Sequence, residues 1–397
     1  MKYYYTFLIA IGLSFVSPVV LWAQKGRYHL KFQVSKKHFA DTIAVECVDG
    51  RVVVPVTIGG RLYRFMLDTG AAQAVVYAGE QPDGCQPAGT IVSQDAVGRR
   101  HSVPLVVLPP MTLGRDLTLT GCQATVHRRP PGARRFDGIL GFDLVAKGIA
   151  LKIDVRGGYV VLSDIKKFFE GEAGFTGRYS VPPGRFTPHV AVEPFRGYVE
   201  EALFDTGSSQ LYVMNSQSLK RGEAACRSQR AGQIEGRALG SYALGLHGRE
   251  ALSEVTFLSL DSVSWLGFGL CQLHTKTTQG NSHVGAAVLQ HGAVTFMPRN
   301  RKIRFQPYEQ VRSLHINNEQ TEKVIAPVGG LPVAAFVWKD GAAYKAGLRE
   351  GDVLLKADDR EIGTYEDYAR TRYIIGHVYT FVVRDVRGFL KEVRMEW

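Results

Sequence analysis

The 397-residue sequence lacks the short motifs of several large enzyme classes. It contains no G-x-S-x-G, no H-E-x-x-H and no P-loop sequence, so serine hydrolase, zinc peptidase and nucleotide hydrolase activities have no support. It also lacks C-x-x-C and any His/Cys spacing typical of zinc ligands. The sequence therefore predicts neither a metal site nor a cofactor.

Acidic residues are comparatively few: 37 Asp and Glu stand against 48 Lys and Arg, a formal net charge of +11. The excess comes from arginine-rich patches such as residues 128–135 and 299–304. Nucleic-acid-binding proteins interleave such charge with aromatic residues or carry a recognisable reader motif, and neither is present here. We interpret the patches as solvated turns and expect no nucleic-acid partner; a preference for an anionic membrane or polysaccharide surface stays open.

The N-terminal residues resemble an export signal. Lys2 precedes the apolar stretch 7–22, and Ala23 ends an imperfect cleavage site. Pro18 interrupts the stretch and disfavours a membrane-spanning helix, although an uncleaved anchor stays an alternative. We therefore expect residues 1–23 to be a signal peptide and the protein to be exported to the periplasm or cell envelope, or secreted.

Length and composition predict a multi-domain β-protein. A chain of this length exceeds a single hydrophobic core and should divide into two or three domains. Its 43 glycines and short runs of Val, Tyr and Phe favour β-structure with many tight turns. The expected fold class is therefore mainly β.

A repeated Asp-Thr-Gly tripeptide is the most informative feature of the sequence. It occurs at residues 68–70 after the apolar run 65–67, and at residues 205–207 after the apolar run 202–204. A carboxylate at the end of a buried strand is energetically costly unless it serves a purpose. Because the two copies occupy matching halves of the chain, we expect their carboxylates to meet across an interface.

The repeat extends well beyond the tripeptides. A hairpin pattern over residues 51–67 recurs at 187–204, and a glycine motif over 138–148 recurs at 284–292. Such a long internal repeat predicts two homologous lobes. The predicted lobes are residues 28–165 and 179–308, joined by a connector at 168–178.

Four of the five cysteines follow the same repeat. Cys85 and Cys226 each follow an Asp-Thr-Gly copy at a similar distance, and Cys122 and Cys271 each precede the second glycine motif. We predict disulfides Cys85–Cys122 and Cys226–Cys271, with Cys47 left over; each would stabilise its lobe by ~3–4 kcal/mol. Five reduced core cysteines are the alternative.

The order of these motifs resembles that of the aspartic peptidases, pepsin-like and retropepsin-like, over most of residues 50–308. The family pattern begins with two apolar residues, then Asp-Thr-Gly, then Ala or Ser. Later in the same lobe it has two apolar residues followed by Gly. Residues 139–141 fit this pattern closely, whereas His283 replaces an apolar residue in the second copy. The short lobes are most similar to the retropepsin branch, here fused in one chain. The resemblance implies two pseudo-symmetric β-barrel lobes in a monomer.

The resemblance also implies that Asp68 and Asp205 hydrolyse peptide bonds in a peptide or protein substrate. Two carboxylates about 3 Å apart would repel by roughly 5–6 kcal/mol at an effective dielectric constant near ~20, so the pair holds one proton. The ionised carboxyl then takes a proton from water while the protonated one hydrogen-bonds the scissile carbonyl. The residues expected to support the two aspartate loops are Thr69, Gly70, Thr206, Gly207 and Ser208.

Two departures from the family pattern bear on activity. Ala71 follows the first tripeptide where the pepsin-like pattern often has a hydroxyl donor. We therefore expect raised pKa values for the aspartate pair and a pH optimum nearer neutral than that of gastric-type enzymes. The hairpin expected to cover the substrate, residues 90–108, contains no tyrosine, and its lobe-two counterpart spans 234–258. A non-catalytic two-lobed peptide-binding protein is therefore the alternative function.

Residues 322–397 resemble a PDZ domain, which implies a small α/β unit. The stretch 342–352 is similar to the short helix and turn of bacterial PDZ modules, and residues 364–374 predict a longer helix. PDZ domains bind peptide C-termini by strand addition, so such a peptide is an expected partner. Docking of this unit onto the lobes is the alternative to free peptide capture.

Residues 24–48 have two interpretations. Lys31, Lys36 and Lys37 could pair with the two aspartates in a removable pro-segment. The segment could instead form a first strand between the lobes, which is the interpretation that we favour.

Overall fold

The computed structural model describes residues 28–397 except 49, 96–97, 130–135, 183–185, 226–231, 241–243, 246–247, 250, 317–321, 340, 372 and 375. β-Strands dominate this part of the chain and form three large sheets and the short ladder Leu244–Gly245 with Gly248–Arg249. The fold class is mainly β, which confirms the prediction. Among the residues described, no helix is long and apolar enough to cross a membrane.

The first sheet has eleven strands from the N-terminal part of the chain. Its central hairpin turns at Gly59 and Gly60, whose φ angles of +57° and +79° glycine adopts without strain. The strands are Gln33–Val34, Glu46–Val48, Arg51–Ile58, Arg61–Leu67, Ala74–Tyr77, Gln86–Gln94, Arg100–Val107, Met111–Leu113, Leu117–Thr120, Gln123–His127 and Gly138–Leu140.

The second sheet has fourteen strands, which come from both lobes. Its strands are Ala40–Ala44, Ala150–Asp154, Tyr159–Ser163, Phe175–Ser180, His189–Phe195, Tyr198–Asp205, Tyr212–Asn215, Ile234–Gly240, Ser253–Trp265, Phe268–Thr278, His283–Gly285, Gly292–Met297, Lys302–Pro307 and Ser313–His315.

Six strands of the second sheet join the lobes about a pseudo-two-fold axis. Ala150–Asp154 pairs antiparallel with Gly292–Met297 at the centre, and each is flanked by the strand that follows it in the chain. Outermost lie Ala40–Ala44 on one side and Phe175–Ser180 on the other. Each lobe therefore contributes the same three elements in mirrored order.

The strands that carry the two tripeptides repeat the same connections. Arg61–Leu67 pairs in parallel with Gly138–Leu140, which pairs antiparallel with Ala74–Tyr77. In lobe two, Tyr198–Asp205 pairs in parallel with His283–Gly285, which pairs antiparallel with Tyr212–Asn215. The two lobes are therefore pseudo-symmetric, as the sequence repeat predicts.

A continuous hydrophobic core crosses the lobe boundary. Phe142 of lobe one and Phe204 of lobe two both pack edge-on against Phe296, with ring centroids 5.3 and 5.5 Å away. All three side chains are at most 1% exposed. Close packing of these rings holds the two lobes against each other.

Helices are few and short in the described chain. The α-helices are Asp143–Ala146, Ser216–Ala225, Ala342–Lys345 and Tyr365–Arg370, and the 3-10 helices are Ala286–Gln290 and Pro298–Asn300. Thr364 and Asp367 cap the fourth helix reciprocally. This helix ends at Arg370 rather than extending to 374 as predicted, because Thr371 has extended backbone angles.

The C-terminal residues form the third sheet, whose core includes the fully buried Leu354, Phe381 and Val393. Its strands are Lys323–Val328, Leu331–Val337, Val353–Ala357, Arg360–Glu361, Val378–Arg384 and Leu390–Glu396. The sheet docks onto the lobe-two hairpin through a cluster formed by Ala238, Val255, Phe257, Val324 and Phe336.

An aromatic stack forms the centre of this docking contact. The rings of Phe257 and Phe336 are stacked with centroids 4.4 Å apart. Gly236 lets Phe336 approach the hairpin, since a Cβ at Gly236 would lie 2.4 Å from Phe336 Cε2. The C-terminal unit is therefore packed against lobe two and not merely tethered to it.

Residues 28–48 pack against lobe one. Ala40–Ala44 pairs with Tyr159–Ser163 at the edge of the second sheet. Lys36 binds Asp41, at 3.1 Å, and Asp116 rather than either tripeptide aspartate. These contacts agree with a strand rather than a pro-segment, but the strand pairs with lobe one at the outer edge of the sheet and does not itself join the lobes.

The predicted disulfide Cys85–Cys122 is wrong, because both residues carry free thiols. Gln86 and Gln123, which follow the two cysteines, pair with Val107 from opposite sides. One strand therefore separates the cysteines, a span of roughly 9–10 Å, whereas a disulfide needs Cα atoms within ~7 Å. Cys47 and Cys271 also carry free thiols, and Cys226 lies outside the described residues.

Candidate active site

Asp68 and Asp205 stand at equivalent strand ends. Asp68 follows Arg61–Leu67, and its N–H donates to the carbonyl oxygen of Leu140 at 2.9 Å. Asp205 ends Tyr198–Asp205 and lies opposite Gly285 in the parallel ladder. The parallel pairing thus brings each aspartate next to the glycine motif of its own lobe.

Reciprocal hydrogen bonds between two threonines clamp the aspartate loops together across the lobe boundary. Thr69 Oγ1 donates to the carbonyl oxygen of Phe204 at 2.6 Å and accepts from Thr206 N at 3.1 Å. Thr206 Oγ1 donates to the carbonyl oxygen of Leu67 at 2.7 Å and accepts from Thr69 N at 3.0 Å. Both threonines are at most 1% exposed, so water cannot replace these partners.

Glycine is required next to each threonine because the opposite carboxyl occupies the space of a side chain. A Cβ at Gly70 would lie 2.5 Å from Asp205 Oδ1, and one at Gly207 would lie 2.5 Å from Asp68 Oδ2. These distances are far inside van der Waals contact. The two carboxyls therefore lie against the backbone of the opposite loop.

The carboxyls hydrogen-bond to one another and to backbone amides. Asp68 Oδ1 accepts from Gly70 N at 2.8 Å and from Ala71 N at 3.1 Å, and Asp205 Oδ1 accepts from Gly207 N at 2.9 Å. Burial, the charge of Asp205 and their mutual hydrogen bond raise the pKa of Asp68 well above its usual range. The pair therefore holds a proton at pH values where a solvated aspartate has lost it.

Each glycine motif packs directly against the backbone of the aspartate loop in its own lobe. A Cβ at Gly141 would lie 2.6 Å from the carbonyl carbon and oxygen of Gln73, and one at Gly285 would lie 2.2 Å from the carbonyl oxygen of Gln210. Phe142 N donates to the carbonyl oxygen of Ala71 at 2.8 Å. These crossings fix the two loops from behind.

Three side chains near the pair were not identified from the sequence. Arg51 Nε donates to the carbonyl oxygen of Gly207 at 3.0 Å, which links the first sheet to the lobe-two loop. Burial raises the pKa of Tyr77, and Asp68 lies close enough to contribute. The Arg129 guanidinium stacks on the Tyr77 ring at 3.9 Å. No local motif marks these residues, since their proximity depends on strand pairing.

Asp143 is a further buried carboxyl that the sequence did not single out. It lies two residues after Gly141, within the lobe-one glycine motif, and is 5% exposed, while Ala287 occupies the equivalent position in lobe two. Burial raises the pKa of Asp143 to about 7, although backbone N–H groups of Leu144 and Ala74 oppose the shift. The fold therefore favours the protonated carboxyl.

Asp143→Asn is expected to stabilise the protein in a pH-dependent way. Since the pKa is raised on folding, the wild-type protein loses stability as the pH increases from ~4, the unfolded value, to about 7. The free energy of unfolding of the variant should exceed that of wild type by up to ~4 kcal/mol above pH 7 and by little below pH 4. Urea unfolding of both proteins at several pH values checks this, and parallel pH curves would contradict it.

No group of three or more His, Cys, Asp or Glu side chains within the described ranges is arranged to hold a metal ion.

Residues 54–144 match a sequence model of the aspartyl protease family. The matched segment lies in lobe one and includes Asp68 and Gly141. A solved structure of the aspartic proteinase from Irpex lacteus is similar at 12% identity and a TM-score of 0.45, covering 68% of this chain and 97% of that one. Comparison with curated proteins gave no match.

Proposed function

We propose that the protein is an aspartic endopeptidase in which Asp68 and Asp205 activate water for hydrolysis of a peptide bond. The observation that carries this proposal is the pair of carboxyls brought together at the boundary of two clamped loops, each lying against the backbone of the opposite loop. A protein gains no stability from two buried carboxyls in contact, because one must be protonated at the expense of its hydration. Catalysis explains the arrangement.

The proposed mechanism assigns one role to each carboxyl. The protonated carboxyl transfers its proton to the scissile carbonyl oxygen, while the ionised carboxyl takes a proton from the attacking water. A tetrahedral diol forms without a covalent enzyme intermediate. As the C–N bond breaks, the carboxyl that took the water proton passes it to the leaving nitrogen, and the other carboxyl recovers a proton from a diol hydroxyl.

A pH optimum above the gastric range is expected for this pair. The carboxyl of Asp68 accepts from backbone N–H groups and gains no hydroxyl donor from residue 71, which is alanine. Fewer donors stabilise the ionised form less, so the single-proton state forms at higher pH. The pH profile of kcat/KM measures this, and a maximum below about pH 3.5 would contradict the expectation.

We further propose that the C-terminal unit is a PDZ-like module for docking a substrate or partner. Support comes from its helix-and-turn sequence and from the edge strand Lys323–Val328, which has one neighbour in the described part of its sheet. A peptide C-terminus is the expected ligand, by strand addition. Its packing on lobe two would bring a captured chain to the same lobe that holds Asp205.

The cellular setting is also proposed, from the sequence. Residues 1–23 have the features of a signal peptide, so we place the protein outside the cytoplasm, in the periplasm or cell envelope or secreted. Both aspartates lie in one chain, so a monomer suffices for the activity.

Cleavage of a diverse peptide mixture tests the function. Wild type and Asp205→Ala, both lacking the signal peptide, are incubated side by side from about pH 3 to about pH 8, and products are identified by mass spectrometry. The proposal expects cuts that are absent with the variant. Equal cutting by both proteins would show a contaminant, and no cutting by either would favour the non-catalytic peptide-binding alternative.

A further inference from the structure

Ser208 follows the lobe-two tripeptide, and its hydroxyl lies against the ring of His283. Ser208 Oγ is 3.0 Å from His283 Nε2, and the other ring nitrogen, Nδ1, is 3.1 Å from the carbonyl oxygen of Asn281. A carbonyl oxygen can only accept, so in the neutral ring Nδ1 carries the hydrogen and Nε2 accepts. The Ser208 hydroxyl therefore donates to His283.

Because the Ser208 hydroxyl donates its one hydrogen to His283, it does not donate to the neighbouring Asp205. Gln210 N donates to Ser208 Oγ at 3.3 Å, so the oxygen has a second partner on its own loop. Within the described chain, the carboxyl of Asp205 is bonded by Gly207 N and by Asp68. Ser208 thus stands beside Asp205 in sequence without donating to it.

Lobe one has an apolar pair at the same two positions. Ser208 corresponds to Ala71, because each lies three residues after its aspartate. His283 corresponds to Ile139, because each is paired in its ladder with the residue two positions before the aspartate of its lobe. Ala71 packs against the cluster that contains Ile139. The two lobes therefore leave their aspartates without this side-chain donor by different means: an alanine in lobe one and a diverted serine in lobe two.

We propose that His283 is a positioning residue of the aspartate pair, which holds the Ser208 hydroxyl away from Asp205 so that only backbone N–H groups and the partner carboxyl bond the pair. The catalytic consequence rests on the proposed peptidase function, whereas the effect on the carboxyls does not. A hydroxyl that donates to a carboxylate favours its ionised form. His283 therefore keeps the single-proton range of the pair at higher pH.

Three variants separate this role from a structural one. His283→Ile releases the Ser208 hydroxyl toward Asp205, so the titration of the pair should move down by about one pH unit. His283→Gln keeps an acceptor for the hydroxyl and should leave the titration close to that of wild type. Ser208→Ala with His283→Ile copies the lobe-one pair, removes the hydroxyl and should also titrate like wild type.

Two readouts are needed. Carbon-13 NMR of the aspartate carboxyls, assigned with Asp→Asn variants, gives the titration without any catalysis. The limbs of the pH profile of kcat/KM give it during turnover, and both should shift together. The charged and titratable groups on neighbouring elements, Arg51 at the lobe-two loop and Tyr77 with Arg129 stacked on its ring, are the same in all variants.

The proposal is overturned if His283→Ile leaves the carboxyl titration unchanged. It is also overturned if His283→Ile shifts the titration equally with and without the Ser208→Ala substitution, since removal of the imidazole would then act without the Ser208 hydroxyl. Urea unfolding confirms that each variant is folded at the pH of measurement. Absence of cleavage by all proteins would count against the proposed peptidase function, while the NMR titration would still decide the role of His283.

Discussion

Asp68→Asn and Asp205→Asn are each expected to lower kcat/KM by at least ~10³-fold. Each variant removes one member of an acid–base pair whose carboxyls hydrogen-bond to each other. Because the two carboxyls act as a unit, the double variant should lose little more than either single one. Additive losses would instead indicate two independent contributions and would contradict the shared-proton mechanism.

The same substitutions should not unfold the protein, which separates catalysis from stability. Asparagine has the shape of aspartate and can still accept from the loop amides, and Asp68→Asn removes a buried carboxyl whose pKa is raised. Since a raised carboxyl pKa costs stability as the pH increases above the unfolded value, the variant should be at least as stable as wild type at neutral pH. Asp154→Asn, at another strand end and bonded to Tyr308, is a matched control expected to retain activity.

Thr206→Val is expected to lower the free energy of unfolding by ~2–5 kcal/mol and also to impair turnover. The valine has nearly the same shape but leaves Leu67 O without its donor and Thr69 N without its acceptor. Both groups are enclosed at the lobe boundary, and each unsatisfied group costs roughly 1–3 kcal/mol. Urea unfolding and kcat/KM measure the two effects.

Thr206→Ser provides the control, because it keeps the hydroxyl and its two hydrogen bonds. Thr69→Val should have a similar effect to Thr206→Val, since it removes the reciprocal bonds to Phe204 O and Thr206 N. A stability loss in Thr206→Ser as large as that in Thr206→Val would show that methyl packing, rather than hydrogen bonding, holds the loops together.

The internal repeat was the feature of the sequence that predicted most of the fold. Because the hairpin at 51–67 recurs at 187–204, the pseudo-symmetry of the lobes could be predicted from spacing alone. The parallel ladders Gly138–Leu140 and His283–Gly285 then bring the glycine motifs behind the aspartates. Patterns that depend on chain order and strand period are visible in a sequence.

Contacts between distant segments were not predictable in this way. Matched cysteine positions suggested a bond between Cys85 and Cys122, but an intervening strand separates them. The clustering of Tyr77 and Arg129 beside the pair depends on strand order and packing. His283 was visible as a departure from the apolar pattern, yet its contact with Ser208 emerges only when the crossing of the two loops is known.

The central claim is that the paired carboxyls cut a peptide rather than only hold it. Its most direct test measures binding and cleavage of one peptide, identified from the mixture, by wild type and Asp205→Asn in the same buffer. We predict that both proteins bind the peptide with similar Kd and that wild type alone cleaves it. Binding by both proteins with no cleavage by either, across the full pH range, would contradict the claim and identify a peptide-binding protein.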